Sequence, residues 1–372
     1  MYKNRLRYFV PALGLAMTAC GGGSSNSISD KEPGGTGDYQ QAVINAQTQT
    51  GYLNLITGEA VGKDDTWHVA FNRNAAMLNS GASGTGNVGG ALGDAQAGFY
   101  KASGEPDLNV FLNTSPDAEL SHLKETFPAP AKWSADALVS AFGKSWYDYD
   151  LQNHAVTQAD NIGYLVRSAE GDSYARMRIK SLHFGASAQT FELEFKVQPN
   201  TSQQFAPQII TFGQPAGYTS GSVCFDFDAD ATVDCATSEL WDVMIGFAGR
   251  EVFLRTNSGP SGPGQGGAVG PFDWNELKNY TSATTDTSGQ SLKPAYVPDT
   301  TGGTFTDNLW YEYNLQGAHK LWPNYRVYLI NTDTKTESAP VYALQIISYY
   351  GEDGSSGQPV VRWKPITLTT EE

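Results

Sequence analysis

A chain of 372 residues, 40% hydrophobic and 12% aromatic, is long enough to bury two cores of ordinary size. Forty glycines, nineteen tyrosines and a charged fraction of only 17% favour a turn-rich β protein over a helical bundle. The formal net charge of −15 argues against nucleic acid or an anionic membrane surface as the partner.

The first predicted element is an address, not part of a fold. MYKNRLRYFVPALGLAMTAC sets Lys3, Arg5 and Arg7 ahead of an apolar run that closes on small residues at Cys20. This is a secretory leader, and Met17-Thr18-Ala19 before the cysteine resembles a bacterial lipobox. Residues 1–19 are therefore read as a lipoprotein signal peptide, with Cys20 as the lipidated residue. Residues 20–45, opening GGGSSNSISD, are read as a flexible tether. Gly21 after the cysteine, with no aspartate, fits sorting to the bacterial outer membrane and a lipid-anchored place on the cell surface.

Past the tether the chain repeats itself. TWHVAF from Thr66 is answered by LWDVMI from Leu240. NSGASGTGNVGGA at 79–91 is answered by NSGPSGPGQGGA at 257–268, and WYDYDLQNH at 146–154 by WYEYNLQGAH at 310–319. YARMRIKSLHFG at 174–185 is answered by YALQIISYYG at 342–351. Order and direction are kept, which places one β domain at 46–205 and a second at 206–372, with QPNTSQQFAPQ as the join.

Within each unit the pattern has period two. Phe191, Leu193, Phe195 and Val197 alternate with Glu192, Glu194 and Lys196. Ala175, Met177 and Ile179 alternate with Tyr174, Arg176, Arg178 and Lys180. Such strands, bounded by Gly, Asn and Asp clusters, predict antiparallel hairpins. Two small helical insertions are expected, over Ser134–Phe142 behind the Ser134 cap and over Asp117–Thr126 behind Pro116. Cys224 and Cys235, ten residues apart in an exported chain, are expected to form a disulfide.

Few stretches carry chemistry. GTGNVG at Gly84–Gly89 fits a dinucleotide fingerprint, but no βαβ unit surrounds it and its counterpart GPGQGG breaks the spacing at Pro263. Ser80, Ser83, Ser258 and Ser261 lack a histidine at a matching place in both units, so no nucleophile is assigned and the protein is read as a binder and not an enzyme. Asp226, Asp228 and Asp230, followed by Asp234, have calcium-loop spacing, although Ala231 replaces the required glycine and Thr237 the closing glutamate. Calcium at these carboxylates therefore stands beside a plainer hairpin turn. His154 and His319 both follow a W-Y-x-Y strand, in a polar turn beside aromatics, and His122 lies in the insertion ahead of the first. Neutral imidazole is the usual axial ligand of haem iron.

Together these residues resemble the HmuY family of haem-binding bacterial lipoproteins. The likeness lies in the family's W-D-x-x-F, met at Trp67–Phe71 with His68 for the aspartate and at Trp241–Ile245 with Asp242 kept, in the glycine loops at 79–91 and 257–268, in W-Y-x-Y with a following histidine, and in the Y-A strands. It implies a mostly β protein of two tandem HmuY-like antiparallel domains with small helical insertions. It further implies haem held through His122 and His154 as iron ligands, with His319 offered by the second unit. The family's role implies capture of haem at the cell surface and transfer to a TonB-dependent outer-membrane receptor. The alternative is a non-enzymatic adhesion or assembly module that presents aromatics to a glycan or protein, with calcium.

Overall fold

The computed structural model describes residues 38–184, 189–214, 221–248 and 251–369. The leader, Cys20 and most of the tether lie outside the described residues. The chain is folded before residue 46, however. Gln40–Val43 is a strand paired to Ser356–Ile366, with Ala42 buried, so the tether reading holds at most to residue 39.

The architecture is antiparallel β with four one- or two-turn α-helices among the described residues. It forms two lobes, each with a five-strand ladder packed on a four-stranded sheet, and in the central lobe Tyr147–Asp150 and Ala155–Gln158 join the ladder through Tyr174–Phe184 to make a seven-stranded sheet. The central lobe runs Ile210–Gln214, Gln189–Gln198, Tyr174–Phe184, Ile162–Arg167 and Gly267–Asp273 in sheet order. Its smaller sheet is Ala231–Val233, Gly221–Asp226, Val243–Ala248 and Glu251–Thr256. The terminal lobe repeats the order with Gln40–Val43, Ser356–Ile366, Val341–Tyr350, Val327–Asn331 and Gly89–Asp94. Its smaller sheet is Ala60–Val61, Gly51–Leu53, Val69–Asn72 and Ala75–Leu78. Phe142, Tyr164, Met177, Phe195 and Phe225 centre one core. Phe71, Trp310, Tyr328, Leu344 and Trp363 centre the other.

The lobes do not follow the sequence repeat. Gly89–Asp94 from the first unit pairs with Val327–Asn331 from the second. Gly267–Asp273 from the second unit pairs with Ile162–Arg167 from the first. Each lobe thus combines the leading half of one unit with the trailing half of the other. The expected boundary at 205/206 falls between Gln189–Gln198 and Ile210–Gln214, two strands paired in one sheet. The exchange happens at one place, where Ala137–Val139 and Thr300–Gly302 pass each other as an antiparallel ribbon. That ribbon also replaces the helix expected over Ser134–Phe142. Asp136 is buried and Ala137, Leu138 and Val139 are spent on the ladder, so no helical turn forms. Over Asp117–Thr126 only Leu120–Leu123 is helical, and a further helix, Leu108–Asn113, precedes it behind the Asp107 cap.

The glycine loops tie this ribbon down. In the terminal lobe the Asp136 carboxylate accepts from Leu78 N at 2.9 Å and Ser83 Oγ at 2.6 Å, while Asp136 N donates to Ser80 Oγ at 3.1 Å. In the central lobe Asp299 accepts from Thr256 N at 3.3 Å and Ser261 Oγ at 2.5 Å, and donates to Ser258 Oγ at 2.9 Å. Gly81 and Gly259 sit at φ 51° and 53° against these aspartates. A Cβ there would meet Asp136 O at 1.9 Å and Asp299 O at 2.1 Å, which explains the glycines better than a ligand does.

One matched position differs in kind. His68 Nδ1 accepts from Leu55 N at 3.1 Å, whereas Asp242 accepts from Phe227 N at 2.9 Å and Ala169 N at 2.7 Å. Burial lowers His68 to about 4 and pushes Asp242 up to about 8. The signs are opposite. The His68 contribution is complete above its unfolded value of 6.5 and is lost as pH falls through 4, whereas that of Asp242 is complete below 3.8 and is lost as pH rises through 8. Between pH 7 and 4 the wild type is expected to lose about 3 kcal/mol of stability that a His68→Asn variant does not lose. Urea unfolding of both proteins across that range checks it.

Candidate functional site

The W-Y-x-Y strands open two equivalent hairpins. In the central lobe Tyr147–Asp150 returns as Ala155–Gln158, and the Asp150 carboxylate caps Gln152 N at 2.8 Å and Asn153 N at 3.2 Å. That turn puts His154 at φ 50° with Nδ1 2.9 Å from Tyr149 Oη. In the terminal lobe Tyr311–Tyr313 returns as Leu321–Pro323, His319 has φ 54°, and its Nδ1 lies 2.6 Å from Tyr313 Oη. Beneath each hairpin a buried tryptophan meets its neighbouring tyrosine edge-on at 4.8 Å, Trp146 with Tyr147 and Trp310 with Tyr311. In the tautomer that donates Nδ1–H to the phenol oxygen, Nε2 keeps its lone pair, as a metal-ligating imidazole requires.

Only the central hairpin borders the large groove. A groove of about 690 Å³, within the size range of small-molecule sites, is bounded by Trp146, Tyr147 and Tyr149 of the hairpin, with Phe253 and Arg255 of Glu251–Thr256 also in its lining. The crossing strand Ala137–Val139 forms part of the same wall. Lys144 and Arg255 bring positive charge to it and Glu251 a negative one. Arg255 stacks 4.1 Å over the Phe253 ring, and its buried Nε has no hydrogen-bond partner. An apolar aromatic wall with a cation left to satisfy suits a flat hydrophobic ligand carrying carboxylates. Arg255 and Phe253 were not singled out by the sequence, because nothing in Glu251–Thr256 differs from an ordinary strand.

His122 stands elsewhere. It lies on Leu120–Leu123 in the terminal lobe, with Nδ1 2.9 Å from Asp94 Oδ2 and 3.1 Å from Glu125 Oε1, and Nε2 3.6 Å from Glu119 Oε2. His154 answers to Tyr149 in the other lobe, so the expected His122–His154 pair is not brought together through any shared contact among the described residues. The strand exchange places His122 in one lobe with His319 instead.

The Cys224–Cys235 disulfide is formed, with Cα atoms 5.3 Å apart. The acidic turn beside it is built as a hairpin. Asp226 Oδ1 accepts from Asp228 N at 3.0 Å and Ala229 N at 2.8 Å, and Asp228 accepts from Ser173 Oγ. Asp242, not Asp230, completes the carboxylate group with Asp226 and Asp228, and both of its oxygens already take backbone N–H groups. Calcium at Asp226, Asp228 and Asp230 finds no support in this geometry.

The first glycine loop and the first aromatic hairpin lie within the stretch that matches a known family. Over residues 46–196 the chain matches the model of the HmuY protein family. In the fold, that HmuY stretch runs from the terminal lobe across the ribbon into the central lobe. No curated protein matches the chain. Among solved structures it is similar to a candidate lipoprotein from Bacteroides fragilis, at 11% identity and TM-score 0.30, covering 91% of this chain and 94% of that one. It is also similar to a candidate HmuY-like heme-binding protein from Bacteroides vulgatus, at 16% identity and TM-score 0.16, covering 40% of this chain and 86% of that one. Among the described residues no helix is long and apolar enough to cross a membrane.

Proposed function

We propose that the protein captures haem in the central-lobe groove, with His154 as a ligand to its iron. One observation carries the reading: Tyr149 lines a 690 Å³ aromatic groove and its hydroxyl lies 2.9 Å from Nδ1 of the exposed His154 in the turn beside the groove's edge strand, in a chain that matches the HmuY family over residues 46–196. Trp146, Tyr147 and Phe253 would exclude water from the porphyrin, and Lys144 and Arg255 would receive its carboxylates. Iron bound there would accept the Nε2 lone pair, and Tyr149 would hold the tautomer. No catalytic role is assigned to the site. His122 and His319 belong to the other lobe and are not part of this groove. The leader and Cys20 support a lipid-anchored protein at the outer-membrane surface, from which haem passes to a TonB-dependent receptor.

Titrating haemin into the protein tests the reading. A saturable Soret shift is expected, its position altered in His154→Ala and its affinity lowered roughly tenfold in Arg255→Gln. A His319→Ala variant is expected to titrate as the wild type. A spectrum indifferent to His154→Ala would remove the ligand assignment, and no Soret shift would remove haem.

A further inference from the structure

We propose a divalent transition-metal site in the terminal lobe, formed by Asp94, His122 and Glu125 and separate from the haem groove. Nδ1 of His122 and one oxygen from each carboxylate lie within 4.8 Å of one another. The separations from Nδ1 are 2.9 Å to Asp94 Oδ2 and 3.1 Å to Glu125 Oε1. Ligand atoms around a four-coordinate zinc, with bonds near 2.1 Å, sit about 3.4 Å apart. The three atoms therefore already approximate one face of such a polyhedron.

An ordinary imidazolium–carboxylate contact does not account for the arrangement. Nδ1 is buried and makes no hydrogen bond, although two carboxylate oxygens lie within reach. A cation between the three atoms would satisfy all of them, and two carboxylates would neutralise its charge.

The surroundings orient each donor. Asp94 Oδ1 accepts from Gln96 N at 2.8 Å, which leaves Oδ2 for the site. On the far side of the imidazole, Glu119 Oε2 lies 3.6 Å from Nε2, and Glu119 is held through its other oxygen by Thr114 Oγ1. A carboxylate behind a histidine is the arrangement that fixes the tautomer of a metal-ligating imidazole and raises its basicity. One nitrogen and two carboxylate oxygens favour a borderline ion such as zinc over calcium, which takes oxygen alone.

Zinc chloride titrated into the full chain, followed by calorimetry and thermal melting, is the test. One zinc per chain is expected, with a raised Tm and an affinity lowered roughly tenfold or more in His122→Asn and in Asp94→Asn. Glu125→Gln alters an exposed side chain and keeps the test valid if the other variants fold poorly. The double variant His154→Ala/His319→Ala is expected to retain the site, which separates it from adventitious binding at the hairpin histidines and from the haem reading. Binding unaffected by His122→Asn and Glu125→Gln, or absent at millimolar zinc, overturns the proposal.

Discussion

A protein carrying Ala91→Cys and Leu329→Cys is expected to close an internal disulfide, whereas one carrying Ala91→Cys and Leu165→Cys is not. Ala91 lies directly opposite Leu329 in the terminal lobe, while Leu165 lies opposite Val269 in the central lobe. Opposed residues of an antiparallel pair have Cα atoms about 4.5–5.5 Å apart, within the span of a disulfide. If each sequence unit folded on itself, the second pair would close and the first would not. Mass spectrometry after thiol blocking reads the difference. The same exchange predicts that residues 38–205 and 206–372 do not unfold cooperatively when made separately, since each carries halves of two cores. A fragment of residues 137–302 holds the whole central core and both strands of the ribbon, and is expected to melt as a unit. The expected loss in the two halves is their entire stability, about 5–15 kcal/mol for an ordinary domain.

The strands were legible because burial imposes a period of two. Phe191, Leu193 and Phe195 are buried as their alternation requires, and Glu192 and Glu194 instead pair with Lys180 at 2.8 Å and Arg178 at 2.9 Å. The repeat was legible too, and it is the reason the exchange was not. Gly89–Asp94 finds equivalent partners in Ile162–Arg167 and Val327–Asn331, which carry Tyr164-Leu165-Val166 and Tyr328-Leu329-Ile330 at matching places. No local preference separates the two pairings; the course of the chain at Ala137–Val139 does. Arg176 shows a further limit. It reads as the polar side of a strand, yet it is buried, and its guanidinium donates to Leu277 O at 3.1 Å and to Lys278 O of the segment that covers that face. His154 and His319 stood out through their shared strand, whereas His122 acquires meaning only beside Asp94, 28 positions away in the sequence.

Replacing Asp299 by alanine is expected to damage both stability and haem capture, whereas the matched change at Asp136 damages chiefly stability. Asp299 is buried, and its carboxylate receives Thr256 N, Thr256 Oγ1 at 3.2 Å, Ser261 Oγ, and Ala141 N at 2.8 Å. Loss of the carboxylate strands these donors away from water, at about 1–3 kcal/mol for each unpaired group and less than additively, so about 4 kcal/mol is expected in all. Ala141 follows Ser140, a groove residue whose hydroxyl donates to Leu254 O of the neighbouring lining strand. Freeing Ala141 N therefore loosens the contact between these two lining segments, and haemin is expected to bind roughly tenfold more weakly. The Asp136 carboxylate holds Leu78 N and Ser83 Oγ, neither of which borders the groove. Asp136→Ala is expected to cost about 3 kcal/mol and to weaken haemin less than Asp299→Ala does, because it reaches the groove only through the adjoining Ala137. Urea unfolding and Soret titration of the two variants separate the outcomes. Equal haemin affinity in both would mean that the glycine-loop latch does not set the groove, and that its walls are positioned by the hairpin and the ribbon alone.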